Sequence, residues 1–412
     1  MARRQARASA RRASTRPRAF TPVLAGPGAG IPGGDGASTS ERTVSVDEPA
    51  ALVFTHWFDS SEAGERHSTT IRFTGRRIGI HGHPRPSDTF AQDETIENIV
   101  PGTGPVSITT RVYGLVAGEW NVTGELVRSA RRAEDFTSPA HRKPGGAAAV
   151  HRAAWSWRRW SIRTIEPTPM KTRWALLAPL ARQPAVIPGV YTALAVVGAV
   201  LALALQGAIL GRRDVPVAPI LGATVLGLVC GLIGAKLWYA VLHPDESIAT
   251  GGWAVDGFLI VAPVVAAVTL LAFDLPIGTA LDAVTPGLFL AVAIGRIGCF
   301  LTGCCAGRAT ASRWALWSSD RRIGTRRRPI QLVESGVGLG IGLVALLLVI
   351  GDASLAPGAI FVGAFAGYAV VRQFLLRLRA EQRRSRRSLH VTAVAAVLAL
   401  LFVAVLSLAQ GT

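Results

Sequence analysis

From Val186 onward the chain is a succession of apolar stretches, several as long as the roughly 20 residues a helix needs to cross a hydrocarbon core. Stretches of that kind leave few options, because inside lipid each backbone N–H and C=O needs a partner within the protein, and a helix supplies one for every residue. Seven candidate spans fall at residues 187–210, 216–242, 253–273, 283–303, 331–350, 356–376 and 389–409. Residues 186–412 are therefore expected to form an all-α polytopic membrane bundle of about seven transmembrane helices. Small residues four apart, Gly227/Gly231, Gly338/Gly342 and Gly363/Gly367, mark faces where helices can approach closely.

The first 185 residues differ in kind. Residues 1–42 are basic and rich in Gly, Pro and Ser, which reads as a disordered tail. Arg3, Arg4, Arg7, Arg11 and Arg12 lead into that stretch rather than into an apolar core, so no cleavable secretory signal is expected. Residues 43–128 alternate polar and apolar positions in short runs such as Ser68–Gly75, Val106–Tyr113 and Glu119–Leu126, with turn residues between them. Period two with Val, Ile, Thr and Tyr means strands, here in a small all-β sandwich-like domain. Residues 129–185 read as a basic linker whose Trp155-Ser-Trp-Arg-Arg-Trp160 suits a headgroup-level interface. His81 and His83 sit two apart, but spacing ties no third ligand to them, so no metal is assigned.

The net charge of +18 comes mostly from arginines that flank the apolar spans. An anionic lipid surface fits that placement, and a nucleic-acid partner does not. The four cysteines, Cys230, Cys299, Cys304 and Cys305, lie in or beside predicted spans, which excludes a disulfide framework in the N-terminal part. They read as small structural residues, with a redox or metal-binding role for the Cys299, Cys304 and Cys305 cluster as the alternative.

Chemistry concentrates where ionisable residues interrupt the spans: Lys236, Asp256, Asp282, Arg296, Glu334 and Arg372. A charge in lipid is costly, roughly 2.5–3.5 kcal/mol on insertion scales, so these groups are expected to converge on a shared polar cavity. Arg296 and Arg372 are the expected phosphate ligands, since a guanidinium grips phosphate bidentately. Arg296 is followed by Gly298, Gly303 and Gly307, which would leave room for a headgroup and expose backbone donors. Arg379 lies seven residues past Arg372, on the same face if the helix continues. Asp282 reads as a helix-start residue.

Gly295-Arg-Ile-Gly-Cys-Phe-Leu-Thr-Gly-Cys-Cys-Ala-Gly307 resembles the signature of bacterial prolipoprotein diacylglyceryl transferases. Gly234-Ala-Lys-Leu-Trp-Tyr239, Pro329-Ile-Gln-Leu-Val-Glu334 and Gly367-Tyr368 with Arg372 resemble further family segments in the same order. The resemblance covers residues 186–409. It implies a multi-pass protein of the bacterial plasma membrane that moves a diacylglyceryl group from phosphatidylglycerol to the thiol of a lipobox cysteine. Its partners would be that lipid, other anionic lipid and the prolipoprotein signal peptide. No cofactor and no metal are implied.

The expected catalytic residues are Arg296, Arg372 and Asp256. The expected substrate-binding residues are Gly295, Gly298, Gly303 and Gly307 from the signature with the adjoining Arg308, Gln331, Glu334 and Tyr368 from the later segments, and Arg379 from its spacing to Arg372. Several positions depart from the family pattern. Asp256-Gly-Phe stands for His-Gly-Gly, Cys299 and Thr302 stand for two Asn, and Cys304 stands for a Glu. Those departures define the alternative, a non-catalytic paralogue that binds phospholipid or lipoprotein precursors as a scaffold. Arginine counting puts the loops at 308–328 and 377–387 and the N-terminal region on the cytoplasmic side, whereas the resemblance implies the opposite side for those loops.

Overall fold

The computed structural model describes residues 50–60, 63–80, 83, 85–130, 148–149, 152–156, 161–165, 169–244, 252–352 and 356–380, with isolated helical positions between 394 and 401. The basic tail, His81, most of the seventh predicted span and the side chain of Asp256 lie outside the described residues.

Among the described residues six helices follow one another through the C-terminal half: α1 (Val190–Leu210), α2 (Val217–Leu242), α3 (Val255–Ala272), α4 (Ile277–Thr302), α5 (Ile330–Ile350) and α6 (Ala359–Leu376). Among the described residues five of them, all but α3, are long and apolar enough to cross a membrane; α3 adds the shorter apolar stretch Ile260–Ala272. The expected count of about seven thus becomes five spans and one shorter helix over the described residues. Proline stands at the N-caps of α2, α4 and α5, where its fixed φ suits helix entry and its missing N–H breaks no ladder. α4 begins six residues before the predicted boundary, at Ile277, and so contains Asp282 rather than starting with it.

Two of the three predicted small-residue faces lie at helix contacts. A Cβ on Gly227 or Gly231 would meet Ala262 of α3 at 2.8 and 2.7 Å, and one on Gly338 or Gly342 would meet backbone carbonyls of α4 at 3.3 and 3.2 Å. Gly363 and Gly367 have open space beside them. α4 packs on both α1 and α5, so it forms the axis of the bundle. One end of the bundle is closed by an apolar cluster that includes Leu210, Ile220, Leu270, Ala283 and Val349. The other end carries the C-termini of α2, α4 and α6 and the N-termini of α3 and α5.

Before the helices come the strands β1 (Ala50–Asp59), β2 (His67–Arg77), β3 (Thr89–Ile99), β4 (Pro105–Leu115) and β5 (Glu119–Ala130). The segment expected to be a linker contributes more: β6 (Ala148–Ala149), β7 (Arg152–Ser156), β8 (Ser161–Ile165), β9 (Met170–Lys171) and β10 (Arg173–Trp174). Even the Trp/Arg-rich stretch is partly a hairpin, since Trp155 of β7 pairs in register with Ile162 of β8. Two antiparallel sheets enclose an apolar core that includes Leu52, Phe54, Ile71, Phe73, Ile108 and Trp120.

One sheet is completed from the helical half. The α4–α5 connection folds into β11 (Leu316–Ser319) and β12 (Ile323–Arg327), and the strand order is β10-β1-β4-β12-β11. Ile323 and Gly324 of β12 pair with Ile108 and Ser107 of β4. Trp317 stacks on Trp57 at 5.2 Å and donates its indole N–H to the Pro105 carbonyl at 2.8 Å. The β region is thereby fixed to the end of the bundle where α4 stops and α5 starts.

Candidate functional site

At that end, Glu334 in the first turns of α5 is fully buried and accepts two guanidinium groups. Arg296 Nε of α4 lies 2.8 Å from Oε2, and Arg379 Nη2 lies 2.7 and 2.9 Å from the two oxygens. Taking three charges out of water costs several kcal/mol per ion, and only close geometry offsets that cost. Two cations on one carboxylate leave a net positive charge at the site.

Arg379 arrives by a route that spacing did not show. α6 ends at Leu376, so the helical face shared with Arg372 is interrupted before Arg379. The chain instead runs against the α4–α5 loop: Arg308 donates its N–H to the Leu378 carbonyl at 3.0 Å, and Ala380 donates to Ala306 at 3.0 Å. The Arg308 side chain donates to the Arg379 carbonyl at 3.0 Å, and this backbone clamp turns Arg379 back to Glu334. Gln331, one turn before Glu334, is buried and donates to the Cys304 carbonyl at 2.9 Å.

Three of the four signature glycines serve the packing of the protein itself. A side chain on Gly298 would press on Tyr191 of α1, and one on Gly307 would strike the Arg328 carbonyl. Gly303 has φ +75, caps α4 with its N–H on the Cys299 carbonyl, and lies under Ser319. The expectation that these glycines open space for a headgroup is corrected here, because a neighbouring chain segment already fills each gap. Gly295 alone of the four has open space beside it.

Arg372 stands apart from the triad. Its Nη1 donates to the Tyr368 hydroxyl at 3.3 Å, and among the described residues no carboxylate lies within ion-pairing distance. Tyr368 in turn meets Phe289 of α4 edge to face at 5.5 Å.

The predicted ionisable residues do not all converge. Asp282 sits fourteen residues before Arg296, about 21 Å along α4 at helical rise, and accepts the N–H groups of Gly358 and Phe361 at 2.8 and 3.0 Å. It holds the start of α6 at the far end of the bundle. Lys236 of α2 lies over the Trp253 ring at 5.2 Å. Asp256 lies in the first turn of α3.

One buried cation went unnoticed in the sequence. Arg327 donates to Asp320 at 2.6 Å and to the Gly307 carbonyl at 3.2 Å, tying the hairpin to the loop below it. Asp320 also accepts the N–H groups of Arg322 and Ile323, which shapes the β11–β12 turn. The cue was Asp320-Arg-Arg-Ile-Gly324, a turn sequence between two short strand-like runs. Arg321 donates to the Thr302 carbonyl at 3.1 Å, and Arg322 pairs with Glu94 of β3. Several arginines that weigh in a positive-inside tally are therefore internal cross-links, and that weakens the tally as a guide to orientation.

Comparison with known proteins places this end of the bundle in context. Residues 186–409 match the family model described as prolipoprotein diacylglyceryl transferase. A phosphatidylglycerol–prolipoprotein diacylglyceryl transferase of Lactobacillus delbrueckii subsp. bulgaricus is 30% identical over 188 residues, which cover 41% of this chain and 68% of that protein. The protein of Clostridium perfringens named as transferase 2 of the same kind is 29% identical over 175 residues, 40% of this chain and 68% of its own length. One from Bordetella bronchiseptica is 34% identical over 167 residues, 38% of this chain and 62% of its own.

Proposed function

The chain belongs to the prolipoprotein diacylglyceryl transferase family, and from that premise we propose that it transfers a diacylglyceryl group from phosphatidylglycerol to a lipobox cysteine thiol at the outer face of a bacterial plasma membrane. The observation that carries this reading is the meeting of two family-like segments and the chain beyond α6 on one buried carboxylate: Arg296, Glu334 with Gln331, and Arg379. A net cationic site near the end of an apolar bundle suits the phosphate of a lipid whose acyl chains remain among the helices.

In the proposed reaction the lipobox sulfur attacks the terminal glyceryl carbon of the diacylglyceryl group. The C–S bond forms as the C–O bond to phosphate breaks, and the electron pair leaves with glycerol phosphate. Arg372 is assigned to the departing phosphate, because among the described residues no carboxylate engages its charge, and a fixed cation stabilises charge that develops in the transition state. Arg296 carries the same assignment, with Glu334 orienting it and Arg379 and with Gln331 and Arg308 holding the loop. Gly295 gives lipid an open approach, Tyr368 positions Arg372, and Gly298, Gly303 and Gly307 hold the frame. The proton from the thiol is assigned to Asp256.

The test is transfer from phosphatidylglycerol to a lipobox peptide by the purified chain with Asp256 intact, Asp256→Asn and Asp256→His. Asn removes the proton acceptor and abolishes turnover, while His, which titrates near neutrality, retains it. Equal activity in all three proteins moves the base elsewhere. An inactive wild type favours the second reading, a lipid- or precursor-binding scaffold, which Cys299, Thr302 and Cys304 motivate by replacing amide and carboxylate groups of the family pattern.

A further inference from the structure

Cys299, Cys304 and Cys305 take no part in the reaction above, yet the fold gathers them. Their three sulfur atoms all lie within 4.8 Å of one another. The chain has four cysteines, so three of the four occupy one spot beside the Gly295–Gly307 signature.

The backbone around the cluster is tightly held. Cys299 is buried in the last turn of α4, and its carbonyl accepts the Cys304 N–H at 3.1 Å. Gly303 supplies the left-handed turn that brings the chain back, and Gln331 anchors the Cys304 carbonyl from α5. Cys305 itself has φ +54, a region that residues other than glycine rarely adopt. Such strain persists where surrounding contacts over-determine it and gathers at ligand clamps. Cys304 and Cys305 are half-buried.

We propose that Cys299, Cys304 and Cys305 form a tris-thiolate site for a soft metal ion of the Zn²⁺, Cd²⁺ or Cu⁺ class. Thiolate ligands select soft ions over hard ones. At a metal–sulfur distance of about 2.3 Å, three sulfurs around one ion lie about 4 Å apart. Closing from the present spacing takes movements of under about 1 Å, within reach of side-chain rotation. A divalent ion binds with loss of three thiol protons, giving a complex of charge −1. The Arg296–Glu334–Arg379 group carries +1 and lies at the same end of the bundle, where Gln331, one turn before Glu334, anchors the Cys304 carbonyl. The two charges offset one another. Such a site is independent of whether the chain transfers lipid.

The full chain, purified in detergent under reducing conditions, is titrated with Cd²⁺, and bound metal per chain is measured together with the sulfur-to-cadmium charge-transfer absorbance. One Cd²⁺ per chain is expected. Cys299→Ser, Cys304→Ser and Cys305→Ser should each weaken binding by at least about tenfold, the scale of effect from losing even an outer-shell partner. Cys230→Ser should leave binding unchanged. Failure of the wild type to retain Cd²⁺, or equal binding by all four variants, overturns the proposal. Cadmium NMR of the wild-type complex covers the case in which a variant does not fold: a shift typical of three sulfur ligands supports the site, and one typical of fewer overturns it.

Discussion

Replacing Glu334 by Gln isolates what the buried carboxylate contributes. The substitution keeps shape and volume while removing the charge that Arg296 contacts at 2.8 Å and Arg379 at 2.7 and 2.9 Å. Both guanidinium groups are largely out of water, with side-chain exposures of 13% and 8%, so solvent cannot take over from the carboxylate. Removing one partner of a buried ion pair costs about 3–5 kcal/mol. The amide oxygen can still accept one hydrogen bond, worth about 1 kcal/mol, and the two arginines share a single acceptor. The net loss expected is therefore about 2–4 kcal/mol, well short of twice the pairwise figure. Equilibrium unfolding of the purified protein in mixed micelles reads that difference. Adding Arg379→Met to Glu334→Gln should restore about 1–3 kcal/mol, because it removes one of the two uncompensated charges, and contacting residues couple on that scale. A Glu334→Gln protein within about 0.5 kcal/mol of wild type, the range of an unremarkable surface change, would refute the claim that this carboxylate holds the two arginines.

Arg372→Ala should cost little stability, since among the described residues no carboxylate depends on it, yet lower turnover by about 10²–10³, the usual effect of removing one electrostatic donor; Arg372→Lys should recover only part, and Arg386→Ala should leave turnover intact. Trp317→Ala removes the stack on Trp57 and the hydrogen bond to Pro105, together about 2 kcal/mol; hydrogen exchange should then show lost protection at the β4–β12 junction while β2 and β5 keep theirs. Asp88 accepts the Arg85 backbone N–H at 2.9 Å and Arg77 Nη1 at 3.1 Å, contacts that hold its carboxyl below the usual range despite its burial. A depressed pKa in the folded state means stability that is full above the unfolded value of about 3.9 and lost as pH falls through the folded value. Acid unfolding of the β region should begin at higher pH in Asp88→Asn, and identical acid transitions would remove Asp88 from the explanation.

The sequence alone determined the division of the chain into a strand-forming part and an apolar helical part, because hydrophobic periodicity and run length are local properties. It also gave the family, since Gly295–Gly307 and the Pro329–Glu334 segment are contiguous and can be read without a fold. Glu334, Gln331 and Arg379 stand out in the sequence as polar residues in or beside apolar spans, but their connections do not. Spacing suggested that Arg379 extended the face of Arg372, whereas the end of α6 at Leu376 releases it to Glu334. Charge in an apolar run suggested that Asp282 faced the same cavity as Arg296. Helical rise separates them, and the backbone N–H groups at the start of α6 satisfy the carboxylate. The pairing of β12 with β4 joins residues more than 200 positions apart, and the three sulfurs meet only after Gly303 reverses the chain. Local sequence fixes which segments become helix or strand, but which buried charge finds which partner depends on how those segments pack, because an ion pair needs atoms within about 4 Å, whatever their separation along the chain.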